Sequence, residues 1–146
     1  MTKRLSAILR LALVSLSLIL HITNVYADDY PIYNDRGGNL EKYWDIFEGV
    51  KATGKRVVVY GKCMSACTLV LTVVPRDRIC VKEGAEFVFH AAVDPDTKIL
   101  NRKGTELWFR SMAADVQEWV SKHNAFTDLK PHVLRGSELE AMVNRC

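Results

Sequence analysis

Residues 56–74 decide the fold, and they read RVVVYGKCMSACTLVLTVV. The run begins with Arg56 to Tyr60, which is β-branched in the way that is typical of a parallel strand covered on both faces. Gly61 is the predicted end of that strand. The stretch from Ser65 to Val74 is apolar nearly throughout, and its length, with Pro75 behind it, favours a buried helix over a second strand.

The elements on either side of this stretch alternate between helices and strands. An amphipathic helix is predicted from Asn39 to Ala52, because apolar side chains recur there at spacings of three and four. Further predictions are short strands at 79–81 and 85–90, a turn and polar loop over 94–104, a long helix over 107–122 and a last helix from Ser137. This order predicts an α/β fold with a mainly parallel sheet flanked by helices.

The first 27 residues have the three parts of a secretory signal peptide. Basic residues precede an apolar stretch from Leu11 to Ile22, and Val25-Tyr26-Ala27 forms a small-residue cleavage site. An uncleaved membrane anchor is the alternative, but the apolar stretch is shorter than the roughly 20 residues that span a bilayer. We therefore predict a cleaved signal over 1–27 and a single periplasmic or extracellular domain over 28–146, with membrane contact only through an uncleaved signal.

Composition limits the partners of the mature domain. The signal contains three of the 20 Lys and Arg residues and none of the 17 Asp and Glu residues, so the mature chain has 17 of each and no net charge. This balance gives no indication of a nucleic-acid partner. An even number of cysteines in an oxidising compartment favours disulfides, with three possible pairings. A zinc site formed by Cys63, Cys67 and Cys80 is the alternative, but the spacing lacks the usual Cys-x-x-Cys arms, and no metal is expected.

Ser65 and His90 form the candidate catalytic pair. Ser65 lies where the strand passes into the helix, which exposes its hydroxyl at the carboxyl edge of a parallel sheet. His90 ends the strand Glu86 to Phe89 and is the histidine best placed to take the serine proton. His123 and His132 are predicted as solvated surface residues. Singly, the serine is more commonly a helix cap and His90 a half-buried strand residue, so only their joint placement favours catalysis.

Gly37 and Gly38 form a turn between a short extended segment, Pro31 to Tyr33, and the first helix. Glycines let backbone amides point outward at a helix amino terminus, where they could hold the oxyanion that forms when a serine attacks a carbonyl. An ordinary turn is the alternative.

From about Asn34 to Ala91 the chain resembles the Clp-type serine peptidases of the ClpP/crotonase superfamily, especially their small exported relatives. The similarity consists of the Gly-Gly turn, Thr-Gly-Lys before a valine strand, Cys-x-Ser-Ala-Cys-Thr, and Phe-His-Ala-Ala. It implies that Ser65 is the nucleophile and that His90, 25 residues further on, is the base. The implied oxyanion hole consists of backbone amides: Gly37, Gly38 and Ala66.

The resemblance also implies a third catalytic member, an acid after the long helix. Asp128 is the nearest candidate, while Asp94 or Asp96 beside His90 could orient the imidazole instead. Our favoured pairing has two disulfides. One joins Cys67 on the buried helix to Cys80 on the next strand, and the other joins Cys63 to the terminal Cys146 and holds the last helix on the domain.

The implied function is that of an exported, peptidase-like serine hydrolase that acts on a peptide or other acyl substrate without a cofactor. The family has a further strand and helix ahead of the Gly-Gly turn, so the domain is predicted to be N-terminally truncated. The alternative is therefore a catalytically inactive ClpP-like binding or assembly module, with a homo-oligomer as one expected form. A third hypothesis is a disulfide exchanger that uses Cys63 and Cys67.

Overall fold

The computed structural model describes residues 28–146, and the predicted signal peptide lies outside the described residues. The strands of the described part are β1 Tyr30–Asp35, β2 Val57–Met64, β3 Ile79–Val81, β4 Glu86–Phe89, β5 His132–Leu134 and β6 Asn144–Arg145. Its α-helices are α1 Leu40–Ala52, α2 Val70–Val73, α3 Arg102–Ser111, α4 Ala114–Lys122 and α5 Gly136–Glu140. Short 3-10 helices span Ser65–Leu69 and Arg76–Arg78.

The sheet is built around β2 and has the order β5-β4-β2-β3-β6, with β1 also paired to β2. The first half of β2 pairs with β3 and its second half with β4, so the sheet curls along this strand. Strands β1, β3 and β4 all run parallel to β2, whereas β5 runs antiparallel to β4. The predicted mainly parallel sheet is therefore corrected to a mixed one, because the three-residue strand β5 returns beside β4 without a sequence signal of its own.

Gly61 lies inside β2 and does not end the strand as the sequence predicted. A Cβ atom at this position would lie far inside van der Waals contact with the Tyr33 carbonyl oxygen, so the close approach of β1 requires glycine. The register of β1 against β2 shifts between Ile32 and Asn34, which marks a bulge at the same place. The glycine thus accommodates a bulge, and β2 continues to Met64.

The segment ahead of the Gly-Gly turn is longer than the predicted Pro31–Tyr33. It forms the six-residue strand β1, whose Ile32 is buried and whose Tyr30 ring packs edge-on against Phe47 of α1. The chain that precedes the turn is therefore part of the sheet.

Two predicted helices differ from the observed ones. The buried helix over residues 65–74 is a 3-10 helix followed by the short α2, and the helix over 107–122 is divided into α3 and α4 at Met112-Ala113. Polar side chains replace the helical hydrogen bonds at this break. The Ala113 amide donates to Thr72 Oγ1 at 3.2 Å, and the Gln117 side chain donates to the Met112 carbonyl at 2.9 Å.

One hydrophobic core joins one face of the sheet to the helices. It contains side chains from β1, β2 and β4 together with the apolar sides of α1, α3 and α4. Its largest fully buried members are Phe47, Leu71, Ile79, Phe87, Phe89, Leu134 and Leu139. Within residues 28–146 no helix is both long and apolar enough to cross a membrane.

The four cysteines form two disulfides, Cys63–Cys67 and Cys80–Cys146, with Cα atoms 5.2 and 5.1 Å apart. The existence of disulfides is confirmed, but the favoured pairing of Cys67 with Cys80 and Cys63 with Cys146 is wrong. Strand β6 was not predicted, and its pairing with β3 brings the chain terminus beside Cys80. Both Cys63 and Cys67 are fully buried, which does not favour thiol exchange at this pair. Two disulfides are compatible with a periplasmic or extracellular location.

Candidate active site

Ser65 has a backbone conformation that side-chain-bearing residues rarely adopt. It follows β2 directly, is the first residue of the 3-10 helix and has φ of 54°, in the left-handed region. The Cys63–Cys67 disulfide spans the turn, and the buried Thr68 hydroxyl donates to the Ser65 carbonyl at 2.8 Å. A half-buried serine is thus held in a strained strand-to-helix turn, a feature that is concentrated at functional sites.

The Gly-Gly turn packs directly against the Ser65 turn. A Cβ atom added to Gly37 would lie 2.8 Å from the Ala66 nitrogen and 2.9 Å from the Ser65 Cβ, and closer still to the Met64 carbonyl oxygen. Gly37 also has φ of 74°, so both the space and the backbone conformation require glycine. The structure therefore brings together the two segments that the sequence predicted as nucleophile turn and oxyanion turn.

Asp35 organises the Gly-Gly turn. Its Oδ1 accepts hydrogen bonds from the Gly37 amide at 2.8 Å and from the Tyr43 hydroxyl. Burial and the contact with Asp35 raise the pKa of Tyr43, so this hydroxyl stays a donor. The Gly37 amide is thus engaged, whereas the Gly38 amide has no acceptor among the described residues. Ala66 lies in the first turn of the 3-10 helix, where amides lack acceptors within the helix, but the residue is fully buried against Gly37 and its amide is not open to a substrate.

His90 follows β4 at the same edge of the sheet as Ser65. Met64 is in parallel register with Val88, so the serine and the histidine come one and two residues after paired positions on strands about 4.8 Å apart. The imidazole is half-buried, and its Nδ1 lies 2.7 Å from the Ala91 carbonyl oxygen. A carbonyl only accepts, so Nδ1 carries a proton, and in the neutral ring Nε2 keeps the lone pair that a base needs.

None of the three candidate acids bonds to His90. The carbonyl oxygen of Asp128 accepts from the Ala91 amide at 3.0 Å, which places the two segments side by side. The Asp128 carboxylate instead accepts from the Lys130 amide at 2.9 Å, which lowers its pKa, and lies 3.4 Å from His132. Asp94 accepts from its own turn through the Thr97 amide, which lowers the pKa of this carboxyl as well.

Among residues 28–146 no carboxylate oxygen lies within 4.0 Å of a His90 ring nitrogen, and no hydrogen bond joins Ser65 Oγ to the imidazole. The site thus has a serine and a histidine on neighbouring strands, with the ring oriented by a backbone carbonyl. The two turns are in contact, while the Ser65 and His90 side chains are not hydrogen-bonded.

The other two histidines of the described residues, His123 and His132, are not the solvated surface residues that the sequence predicted. Both are half-buried and lie 3.4 Å from a carboxylate, His123 from Glu138 and His132 from Asp128. The His123 ring also stacks on Trp119 at a centroid distance of 4.3 Å. These histidines connect structural elements and lie outside the group of residues described above.

Sequence reasoning missed three groups that shape the site. Asp35 precedes the turn glycine by two residues, a pattern in which an aspartate commonly accepts from the backbone, so the sequence held a signal for it. Thr68 bonds back to the carbonyl three residues earlier, another recognised local pattern. The Ala91 carbonyl had no signal, since any residue supplies this acceptor.

The described residues contain no group of three or more His, Cys, Asp or Glu side chains that could hold a metal ion. The sulfurs of the zinc alternative are joined in disulfides, which leaves no thiolate ligand there. A scan of protein-family models found no match to the chain. A search of curated proteins also found none.

Proposed function

We propose that the protein is an exported serine hydrolase of the ClpP/crotonase type, peptidase-like, with Ser65 as nucleophile and His90 as base. The observation that carries the proposal is the left-handed Ser65 at the carboxyl end of β2, enclosed by a disulfide and packed against a glycine turn. Retaining a strained serine at the edge of a sheet costs stability, which is expected where the strain positions a reacting group.

In this mechanism the Ser65 hydroxyl gives its proton to His90 Nε2 as Oγ attacks the acyl carbonyl of the substrate. The amide of Gly38, an exposed residue, donates to the oxyanion that forms. His90 then returns the proton to the leaving group, which departs and leaves an acyl-enzyme. Water, deprotonated by the same imidazole, hydrolyses the ester and restores the serine. The Ala91 carbonyl does the orienting work that a carboxylate does in a triad, because it keeps the proton on Nδ1.

The test is covalent labelling of the oxidised protein with a fluorophosphonate, followed by mass spectrometry of the modified peptide. The proposal predicts that the probe modifies Ser65 and that Ser65→Ala abolishes labelling. Ser121→Ala, a change at an exposed serine of α4, is the matched control and should label like the original protein. Failure to label Ser65 under conditions that modify a known serine hydrolase would contradict the proposal.

A second candidate is an inactive ClpP-like module that binds or assembles with another chain, and two observations favour it. His90 has no carboxylate partner among the described residues. In the same part of the chain β1 pairs only with β2, which leaves an edge strand where the stacked rings of Tyr33 and Tyr60 are exposed. Homo-oligomerisation through this edge belongs to the second candidate. This second candidate predicts that no fluorophosphonate adduct forms. It also predicts that the protein self-associates in a concentration-dependent way in analytical ultracentrifugation.

A further inference from the structure

The two disulfides lie in very different parts of the domain. Cys63 and Cys67 are fully buried, and Cys63 lies in the middle of the sheet, where β2 is paired with β1 on one side and with β4 on the other. Cys80 is 6% exposed, and Cys146 is an exposed residue. An external thiol therefore reaches the Cys63–Cys67 bond only when the centre of the sheet opens, whereas the Cys80–Cys146 bond lies at one end of the sheet.

Few contacts hold the segment that carries Cys146. Strand β6 has two residues, both of them exposed, and it is the last strand of the sheet order beside β3. The Cys146 amide donates to the Val81 carbonyl at 3.1 Å. Within residues 141–146, Val143 is the one buried residue. Local opening of this segment therefore costs much less free energy than unfolding of the whole domain.

The charges around this disulfide also favour exchange. A cavity of about 260 Å³ borders β3 and β6, and its lining includes Val81 and Arg145, which are the sequence neighbours of the two cysteines. The charged residues of the lining are three cations and two carboxylates: Lys82, Arg135, Arg145, Glu86 and Glu140. Thiolates carry out thiol–disulfide exchange, and a surplus of cations favours both the incoming thiolate and the departing one.

We infer that Cys80–Cys146 is a site of thiol–disulfide exchange with an external dithiol. Exchange there releases residues 141–146 and leaves β3 as the edge of the sheet, while the Cys63–Cys67 disulfide stays closed. The inference goes beyond the proposed hydrolase and does not depend on Ser65, because reduction of the disulfide is measured without turnover.

The exchange has two steps. A thiolate of the dithiol attacks Cys146 Sγ, and the S–S bond breaks with its electron pair on Cys80 Sγ, which takes a proton from water. The second thiolate of the dithiol then attacks its own sulfur that is bound to Cys146, which closes a disulfide in the dithiol and leaves Cys146 to be protonated as a thiol. Two electrons and two protons have then passed from the dithiol, which is oxidised, to the protein disulfide, which is reduced.

The first test measures which disulfide opens. Dithiothreitol is added to the oxidised protein under native conditions, and free thiols are alkylated with iodoacetamide at timed intervals. Mass spectrometry of the peptides gives the rate of modification at each cysteine. Cys80 and Cys146 should be modified together, at least about 10-fold faster than Cys63 and Cys67. Equal rates for the two disulfides, or faster opening of Cys63–Cys67, would overturn the inference.

A matched pair of variants separates local opening from unfolding of the domain. Val143→Ala shortens a side chain that holds residues 141–146 and belongs to a residue that is 4% exposed. Val50→Ala makes the same change in α1, at a residue that is 6% exposed. Val143→Ala should accelerate reduction of Cys80–Cys146 about 5-fold, because less apolar surface is exposed anew on opening, whereas Val50→Ala should leave this rate unchanged. Equal acceleration by both variants would mean that reduction follows global unfolding, against the inference.

Hydrogen exchange of the partly reduced, alkylated protein tests what is released. Amides of residues 141–146 should exchange faster than in the oxidised protein, while β2 should keep its protection. Unchanged protection of residues 141–146, or loss of protection throughout the sheet, would contradict the release of this one segment. Selective reduction in a protein whose Ser65 forms no fluorophosphonate adduct would support the exchange site and reject only the hydrolase.

Discussion

Replacing Gly37 with alanine tests whether the two turns of the site are coupled. The matched control is Gly84→Ala, because both glycines have a left-handed backbone, with φ of 74° and 80°. At Gly84 no atom lies within 4 Å of an added Cβ, whereas at Gly37 the Cβ would collide with the Ser65 turn. The pair therefore separates the cost of the backbone conformation from the cost of the collision.

The expected magnitudes follow from this geometry. A side chain in the left-handed region costs about 1–2 kcal/mol, and we expect Gly84→Ala to lose that amount. Gly37→Ala bears the same cost and adds an overpacking penalty of about 1–3 kcal/mol, because the atoms that must move belong to backbone. We therefore expect Gly37→Ala to lose about 2 kcal/mol more of the free energy of unfolding than the control.

Urea denaturation measures both losses, with an unchanged m value as the sign that only stability has changed. Because the collision displaces Ser65, Gly37→Ala should also slow fluorophosphonate labelling at that residue, whereas Gly84→Ala should not. Equal losses of stability in the two variants would refute the view that the Gly-Gly turn positions the serine turn.

Two other predictions concern the disulfides and the acid stability of the fold. In the chain-entropy model Cys80→Ser should lower the free energy of unfolding by about 4 kcal/mol, because its disulfide joins cysteines 66 residues apart. Cys63→Ser should lower it by about 2 kcal/mol, because its disulfide joins cysteines only 4 residues apart. Urea denaturation of the two variants tests this order. The indole hydrogen bond of Trp119, and then the nearby His123, lower the pKa of Glu138 from 4.5. The ionised Glu138 carboxylate therefore stabilises the fold above pH 4.5, and this stabilisation is lost as the pH falls through the lowered pKa. Glu138→Gln should remove the effect, so that the free energy of unfolding falls less steeply with acidification than in the original protein.

The elements that the sequence predicted correctly are those whose hydrophobic pattern lies within the element itself. Helix α1 follows its apolar spacing from Leu40 to Ala52, and β4 at Glu86–Phe89 lies within the strand predicted over 85–90. Strands β5 and β6 are two or three residues long and owe their existence to pairing with β4 and β3. Such strands have no periodicity of their own, and for this reason both the mixed sheet and the Cys80–Cys146 pairing were missed.

The same division holds for the site. The order of the strands alone predicts that Ser65 and His90 lie at the same edge of the sheet. The parallel register of Met64 with Val88 agrees with this prediction. The partners of individual polar atoms depend on loop conformations that sequence patterns do not specify. The carboxylate of Asp128 therefore faces His132 while a backbone carbonyl orients His90.

The most direct test of the central claim, that His90 activates Ser65, is the rate of fluorophosphonate labelling at Ser65 in the His90→Ala variant. General-base catalysis contributes about 10²–10⁴-fold, so the variant should label at least 100-fold more slowly than the original protein. His132→Ala is the matched control, because this imidazole contacts Asp128 and not the serine turn, and it should label at the original rate. A His90→Ala variant that labels as fast as the control would contradict the account.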